Sequence, residues 1–499
     1  MSGTTLAALH AATAPKEGMK RIPFPLESYQ HASLPLSAKF LLNLYAEQAP
    51  SDARSEVALI PTPGLVDSGW TFGAGPVTAM NGDWPSALYV ASGGRFYRLG
   101  QLVFNGPIVV QDLGAIGTPS GDDYPQNLMT TIAVGVNAVV VCVPPNAFTC
   151  GHHDTAVNQI GGTFPGARSV AYLDGYFVFT SDDLDAQFFC SLLLDPSDFD
   201  ALDFASADGV PNMLRRVLVL RGELWLVGEK GGEVWYDAGS SGLETTPGTS
   251  FFPFRRRAGG VIPHGTTSMK SFVVCDGSIF WLTNEGIVVR SQGYAAVRIS
   301  THAIEAIIKD VTPAALTTAV AFMWDGHYFY AMSFGDRTLV YDCATKLWHD
   351  RASSVNGLGQ WLPYSVGQLA STYVFGSSVD GRSYVMSATD ATEAGVAVMR
   401  QAITPPLWAG TSRAFCSRLE VEMEVGGDLD VALTWSDDGG WNYAGGPRNL
   451  YTGGAGAAGR RTRVYTTRLG SFRQRVFAVT TLGRVTLYAI DADIAGGAS

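Results

Sequence analysis

Cys150-Gly151-His152-His153-Asp154 gathers metal-ligand side chains into one short stretch. Neighbouring side chains on an extended strand point to opposite faces, and zinc ligands are more often two to four residues apart. A polar loop at the edge of a sheet is therefore the better reading. Gly454-Ala455-Gly456-Ala457-Ala458-Gly459 matches G-x-G-x-x-G. A dinucleotide site needs that pattern between a strand and a helix, with the pyrophosphate on the helix N-terminus. Here Arg460-Arg461-Thr462-Arg463-Val464-Tyr465 continues as strand, so the glycines read as a flexible loop. Arg255-Arg256-Arg257 is the strongest basic run, and Arg215-Arg216 is a weaker pair. Three arginines could meet phosphate by neutralising it; a solvated loop or a salt-bridge patch between subunits is the plainer account. The chain contains no G-x-x-x-x-G-K-[ST], H-E-x-x-H or G-x-S-x-G motif. Paired carboxylates are a spatial feature. Asp182, Asp183, Asp325 and Asp342 are the ones to inspect, although nothing in their spacing marks them. No catalytic, cofactor-binding or metal-binding residue is expected, and no cofactor.

Ser436-Asp437-Asp438-Gly439-Gly440-Trp441 resembles a shortened Asp-box turn of sialidase-like propellers, in which Ser and Asp brace a hairpin and a Trp packs behind it. The stretch occurs once and is two residues short of that pattern, so a β-hairpin with Asp-Gly turn chemistry is expected.

Charged residues make up 16% of the chain, against about 25% in an ordinary globular protein. So uncharged a surface suits extensive cover by partner subunits. The formal charge of −11 carries no basic footprint for gripping nucleic acid, and like charge would let DNA pass without sticking. Cys142, Cys150, Cys190, Cys275, Cys343 and Cys416 are scattered, mostly among apolar strand-like residues, and read as buried free thiols of a reducing compartment. Residues 1–15 make a poor signal peptide, and no apolar run reaches the roughly 20 residues of a membrane helix. Synthesis as a soluble protein in the cytoplasm is expected.

One unit recurs along the chain: an apolar strand, a Gly- or Asn-based turn, then an aromatic-rich strand. Clear copies centre on Asp174-Gly175, Arg221-Gly222, Asp276-Gly277 and Asp325-Gly326; weaker ones lie at Gly93-Gly94, Val136-Asn137 and Asp380-Gly381. Their spacing of roughly 40–55 residues is that of propeller blades. Small meanders cannot bury both faces alone and must stack around an axis. Helical periodicity is scarce, and Ser300 to Ile308 is one candidate, capped by Thr301. The expected fold is all-β: an extended arm and first edge strands over residues 1–76, a β-propeller of six or seven blades over 77–399, and a β-sandwich over 400–499. The last is indicated by the alternation in Ser417–Glu424 and Asp428–Trp435.

The order of landmarks resembles the tail hub family of short-tailed bacteriophages, also known as nozzle or packaged-DNA stabilisation proteins. Lys39-Phe40-Leu41-Leu42-Asn43-Leu44-Tyr45-Ala46-Glu47 followed by Thr62-Pro63-Gly64-Leu65 is similar to the family's opening arm. Ala87 to Tyr97 resembles its first hairpin. Ala258 to Gly265 falls where the family has a Gly-flanked turn, and Ser436 to Tyr443 with the closing Arg-rich strands also fits. The resemblance implies a structural virion protein of the tail, with no catalytic residues. It implies a homo-hexameric ring under the portal and the adaptor ring, continuing the channel for double-stranded DNA and carrying tail fibres or spikes. Arg255, Arg256 and Arg257 are the candidate subunit or DNA-channel contacts. The alternatives are a carbohydrate-active propeller enzyme of a phage tail and a monomeric propeller interaction module.

Overall fold

The computed structural model describes residues 19–496 except 32, 50–54, 84–86, 102–105, 120–129, 201–202, 240–251, 267, 311–316, 426–428 and 452–460. The chain divides into two compact units, and neither is continuous in sequence: Val66–Gly335 with Leu362–Met386, and Met1–Leu65 with Asp336–Trp361 and Ser387–Ser499.

The first unit is a β-propeller. Five consecutive four-stranded antiparallel sheets run from the inner strands Val77–Asp83, Thr131–Val134, Ala167–Leu173, Leu214–Leu220 and Val273–Cys275 outward. A hairpin, Thr318–Trp324 with His327–Phe334, follows the fifth blade. Pro363–Leu369, Thr372–Ser377 and Arg382–Ser387 then make the first three strands of the last blade, part of a six-stranded sheet. Its outer strand comes from much earlier in the chain, Gly64–Thr71: Ser68 Oγ donates to Ser383 O (2.9 Å) and Phe72 N to Gly381 O (2.7 Å). An N-terminal strand thus completes the last blade, which fastens the ring.

Apolar cores between neighbouring blades hold the stack. Tyr89, Phe96, Val139 and Val141 fill the first gap; Phe177 and Phe179 share the second with Val140. Leu224, Leu226 and Phe188 fill the third, and Trp225, Trp281 and Phe272 the fourth. The hairpin is wedged by aromatic contacts on both sides, Phe280 with Tyr330 and Phe322 with Phe375. Leu88, Val90, Leu369 and Val374 close the circle. At the turns, Asp174 and Gly175 (φ 49° and 98°), Asp276 and Gly277 (46° and 62°), and Asp325 and Gly326 (49° and 82°) all take the positive φ of tight hairpins. Of the seven turns marked in the sequence, five join the first and second strands of their meanders. Gly93-Gly94 and Asp380-Gly381 join the second and third.

Closure is tight. A Cβ on Gly376 would lie 2.5 Å from Cβ and Cγ1 of Val77, and one on Gly367 would lie 2.3 Å from Leu88 Cδ1. Gly376→Ala is expected to cost about 1–3 kcal/mol, the penalty of overpacking a core. A fall in the propeller's melting temperature checks this, and Val77→Ala in the same chain should return part of it.

The second unit is a β-sandwich. One sheet orders Leu44–Gln48, Val57–Pro61, Val485–Gly496, Ala414–Val425 and Arg461–Thr467, with Met19–Ile22 and Ser471–Phe472 also joined to it. The other includes Leu347–Asp350, Ala38–Leu42, Arg400–Ile403, Gln474–Thr481, Asp430–Ser436 and Gly445–Tyr451. Leu41, Leu433, Phe477 and Val479 of the second sheet share a core with Leu419, Val421, Met423 and Leu487 of the first. Within the span read as an arm with first edge strands, Ala38–Leu42, Leu44–Gln48 and Val57–Pro61 are thus strands of this unit. The switch between sheets occurs at Asn43, which sits at φ 53° between Ala38–Leu42 and Leu44–Gln48.

The helix is His302–Asp310, with Ile304 N donating to Thr301 Oγ1 (3.4 Å). Among the described residues no helix is long and apolar enough to cross a membrane.

Candidate functional site

The inner strands of the propeller line an axial cavity of about 250 Å³. Its wall is built from Ala79 to Asn81, Thr130 to Ile132, Arg216 with Leu218, Lys270 with Phe272 to Val274, Ala319, and Tyr364 to Val366. The pleat explains Arg216. Successive side chains alternate faces, so Arg215 turns away and pairs with Glu229, while Arg216 and Leu218 face the axis. Lys270 comes from the single turn Met269–Ser271, and its Nζ donates to Thr78 O (2.8 Å) and Thr130 O (2.7 Å). These bonds tie the fifth blade to strands of the first and the approach to the second. Arg216 Nε and Nη1 are closed off from solvent and have no hydrogen-bond partner.

Burial lowers the pKa of both cations. Desolvation is the main cause for each; Arg216 falls to about 10, and Lys270 falls well below the usual lysine value with the Arg216 charge adding to the effect. Burial also raises the pKa of the Tyr364 phenol, which keeps it a protonated donor. Among the described residues no carboxylate lines this wall.

The residues singled out in the sequence are placed elsewhere. Arg255, Arg256 and Arg257 lie on Phe254–Ile262, the outer strand of the fourth blade. Arg256 pairs with buried Glu233 (3.2 Å). Arg257 pairs with Glu223 (2.6 Å), donates to Tyr294 Oη of the next blade (3.1 Å) and lies over the Tyr236 ring. Arg255 is exposed. Two arginines of the run therefore act within the propeller. Arg257→Ala is expected to lower the melting temperature only slightly, since its pairs are half-exposed and screened. Arg255→Ala is expected to leave the melting temperature unchanged, and thermal denaturation of both variants checks the contrast.

His152 binds Tyr89 Oη (3.0 Å) and the carbonyl of Gly135 (2.9 Å), and Asp154 accepts from Gly151 N (2.7 Å). Cys150 faces the core, where burial raises its pKa to about 12. Among the described residues no three His, Cys, Asp or Glu side chains come together as a metal site. All six cysteines are buried and none is in a disulfide.

The four aspartates serve separate local structures. Asp182 pairs with Arg168 (3.3 Å). Asp342 accepts from Ala344 N (2.9 Å) and Thr345 Oγ1 (2.8 Å), Asp325 sits in a hairpin turn, and Asp183 is exposed. The glycine run 454–459 lies outside the described residues.

In Ser436 to Trp441 the brace is present. Ser436 Oγ donates to Asp438 Oδ1 (2.6 Å), which also accepts from Trp441 N (3.0 Å) and Asn442 N (2.9 Å). The Ser436 hydroxyl and these amides lower the pKa of Asp438 to about 2. The connection spans residues 437–444 rather than a two-residue turn. Trp441 is 60% exposed instead of packing behind it. Asp437 holds buried Arg475 by two bonds of 2.6 and 2.7 Å.

No curated protein matches the chain. Among solved structures, it is similar to the WD40 β-propeller domain of Doa1, at 10% identity and a TM-score of 0.39, covering 65% of this chain and 97% of that one. It is also similar to BamB from Moraxella catarrhalis, at 11% identity and a TM-score of 0.36, covering 69% of this chain and 97% of that one. The model of a family of phage structural proteins, described as bacteriophage P22 Gp10, β-propeller, matches residues 26–391. That span takes in the strands on either side of Asn43, every blade of the propeller and the axial cavity, and the chain belongs to this family.

Proposed function

We propose that the protein is the tail hub, or nozzle, of a short-tailed bacteriophage. Six copies form a ring below the portal and adaptor, continue the DNA channel, retain the packaged DNA and carry tail fibres or spikes. The family match over residues 26–391 carries this reading. Physical features of the chain support it. A cyclic ring needs head-to-tail interfaces that close, and a chain with 16% charged residues has much surface suited to burial between subunits.

The axial cavity of about 250 Å³ is far too small for a duplex whose major groove alone is about 12 Å wide. In this reading the channel is therefore framed by several copies, not by the hole of one propeller. The net charge of −11 suits a channel wall that lets DNA slide. A channel wall of net positive charge would overturn that part.

The enzyme alternative has less support. Glycosidases need two carboxylates across a site, whereas the axial wall holds two cations, and Asp182, Asp183, Asp325 and Asp342 are separate. The decisive measurement is cryo-electron microscopy of virions carrying this chain. Six copies forming a tube below the adaptor are expected. Absence from the particle, or a protein that stays monomeric in the tail, would overturn the reading in favour of an interaction module.

A further inference from the structure

Two cations share the axial cavity, and among the described residues no acid lines it. Burying charge is costly unless it is paired and hydrogen-bonded. The acids near this part of the ring are engaged elsewhere: Asp182 with Arg168, and Glu229 with Arg215. An ammonium has three donors, and Lys270 uses two on Thr78 O and Thr130 O. Arg216 adds Nε and Nη1, both sequestered and without partners. Unused N–H groups of two positive side chains thus line one cavity with the Tyr364 phenol.

Neutral neighbours cannot take up these donors as pairing partners of opposite charge. Ser365 donates its hydroxyl to Val77 O (2.8 Å) and Asn81 Nδ2 donates to Ile132 O (2.8 Å), so each keeps an oxygen that can accept but brings no negative charge. The rest of the wall is largely apolar, with Ile132, Leu218, Phe272 and Val366. Such surroundings strengthen attraction for an anion. The space of about 250 Å³ is many times what one water needs by that measure, roughly 10–15 Å³, so it admits a small polyatomic ion with its hydration.

We propose that the axial cavity is a binding site for a small oxyanion of the phosphate or sulfate class, held between Arg216 and Lys270. Arg216 presents the planar fork that suits such oxygens and Lys270 a point charge. Lys270 also touches strands on the far side of the axis. A bound anion would therefore brace the ring from within, in addition to the outer fastening by Gly64–Thr71. This site is independent of how many copies assemble, so it stands or falls apart from the hub reading.

Isothermal titration of the full chain with inorganic phosphate tests it, in chloride buffer at constant ionic strength. One saturable site per chain is expected, with sulfate competing. Arg216→Gln and Lys270→Met should each weaken binding at least tenfold, and Arg255→Ala, which alters an exposed arginine far from the axis, should not. No saturable binding, or binding unchanged in both cavity variants, would overturn the proposal and leave water as the occupant. Should the variants fail to fold, the wild-type chain soaked in selenate decides. Anomalous density between Arg216 and Lys270 is expected, and its absence with the ion at saturating concentration overturns the site.

Discussion

Glu393→Ala is expected to destabilise the sandwich unit by about 3–5 kcal/mol, the cost of leaving a buried charge without its partner. Glu393 and Arg351 are 1% and 2% exposed and approach to 3.3 Å. The carboxylate also accepts from Trp361 Nε1 (3.0 Å) and from Ser353 Oγ. The guanidinium donates to Pro63 O (2.8 Å) and lies 3.9 Å from the Trp361 ring centroid. These contacts join residues 63, 351–361 and 393, three separate pieces of chain, so the loss is not local. Burial works against both charges, raising the Glu393 pKa and lowering that of Arg351, while each partner partly offsets the shift of the other.

The pH dependence has a definite sign. A raised carboxyl pKa contributes stability that is present below its unfolded value near 4.5 and lost as pH rises through the folded value. Glu393→Gln should remove that slope while still stranding Arg351. A double variant, Glu393→Leu with Arg351→Met, should recover most of the loss, because a packed apolar pair avoids desolvating charge. Thermal melts of the wild type, Glu393→Leu, Arg351→Met and the double variant give the coupling directly. A single variant as stable as the wild type would refute the network's role.

The propeller was legible in the sequence because its signals are local. Asp-Gly between two apolar runs is a turn with a physical cause, and Asp174, Asp276 and Asp325 adopt the φ it requires. The helix could be read for the same reason, from Thr301 and the residues after it. The C-terminal strands of the sandwich were legible from their alternation, but the earlier pieces of chain that join them were not. Leu42 lies beside Asp350 in one register and beside Gln401 in another. Alternation tells which face of a strand is buried, but not which distant strand covers it. The axial site was half visible. Arg215-Arg216 stood out as a charged pair, and the pleat sends one of the two inward, yet which one depends on register. Lys270 gave no signal, since it sits on one short turn with no period to read. For the triple arginine a solvated loop or a salt-bridge patch was the plainer reading; the sequence could not say which acids would pair with it, and Glu223 and Glu233, distant in sequence, hold two of its members while Arg255 stays exposed.

Asn43→Ala is expected to cost about 3–5 kcal/mol, from three lost hydrogen bonds in a dry site and a strained backbone. Asn43 is fully buried. Its Nδ2 donates to Ala352 O (3.0 Å) and Met399 O (2.8 Å), and its Oδ1 accepts from Ala352 N (3.0 Å). Its own backbone binds Asp350 O (2.9 Å) and receives Thr62 N (3.1 Å). The residue that turns the chain from one sheet to the other thus satisfies the strand ends around it. Asn suits φ 53° better than other residues with a side chain, and it carries a donor and an acceptor together. Three substitutions separate these roles. Asn43→Gly relieves the backbone and should recover about 1 kcal/mol relative to Ala. Asn43→Asp keeps the acceptor for Ala352 N but turns an oxygen toward two carbonyls, so it should be at least as damaging as Ala. Asn43→Ala should be rescued by neither ligand nor salt, because the stranded groups are backbone. Equilibrium denaturation of the full chain, following the sandwich transition, gives the order Asn, Gly, Ala, Asp. Should Asp prove as stable as Asn, the two carbonyls are not what the side chain serves, and the turn itself becomes the reason for Asn.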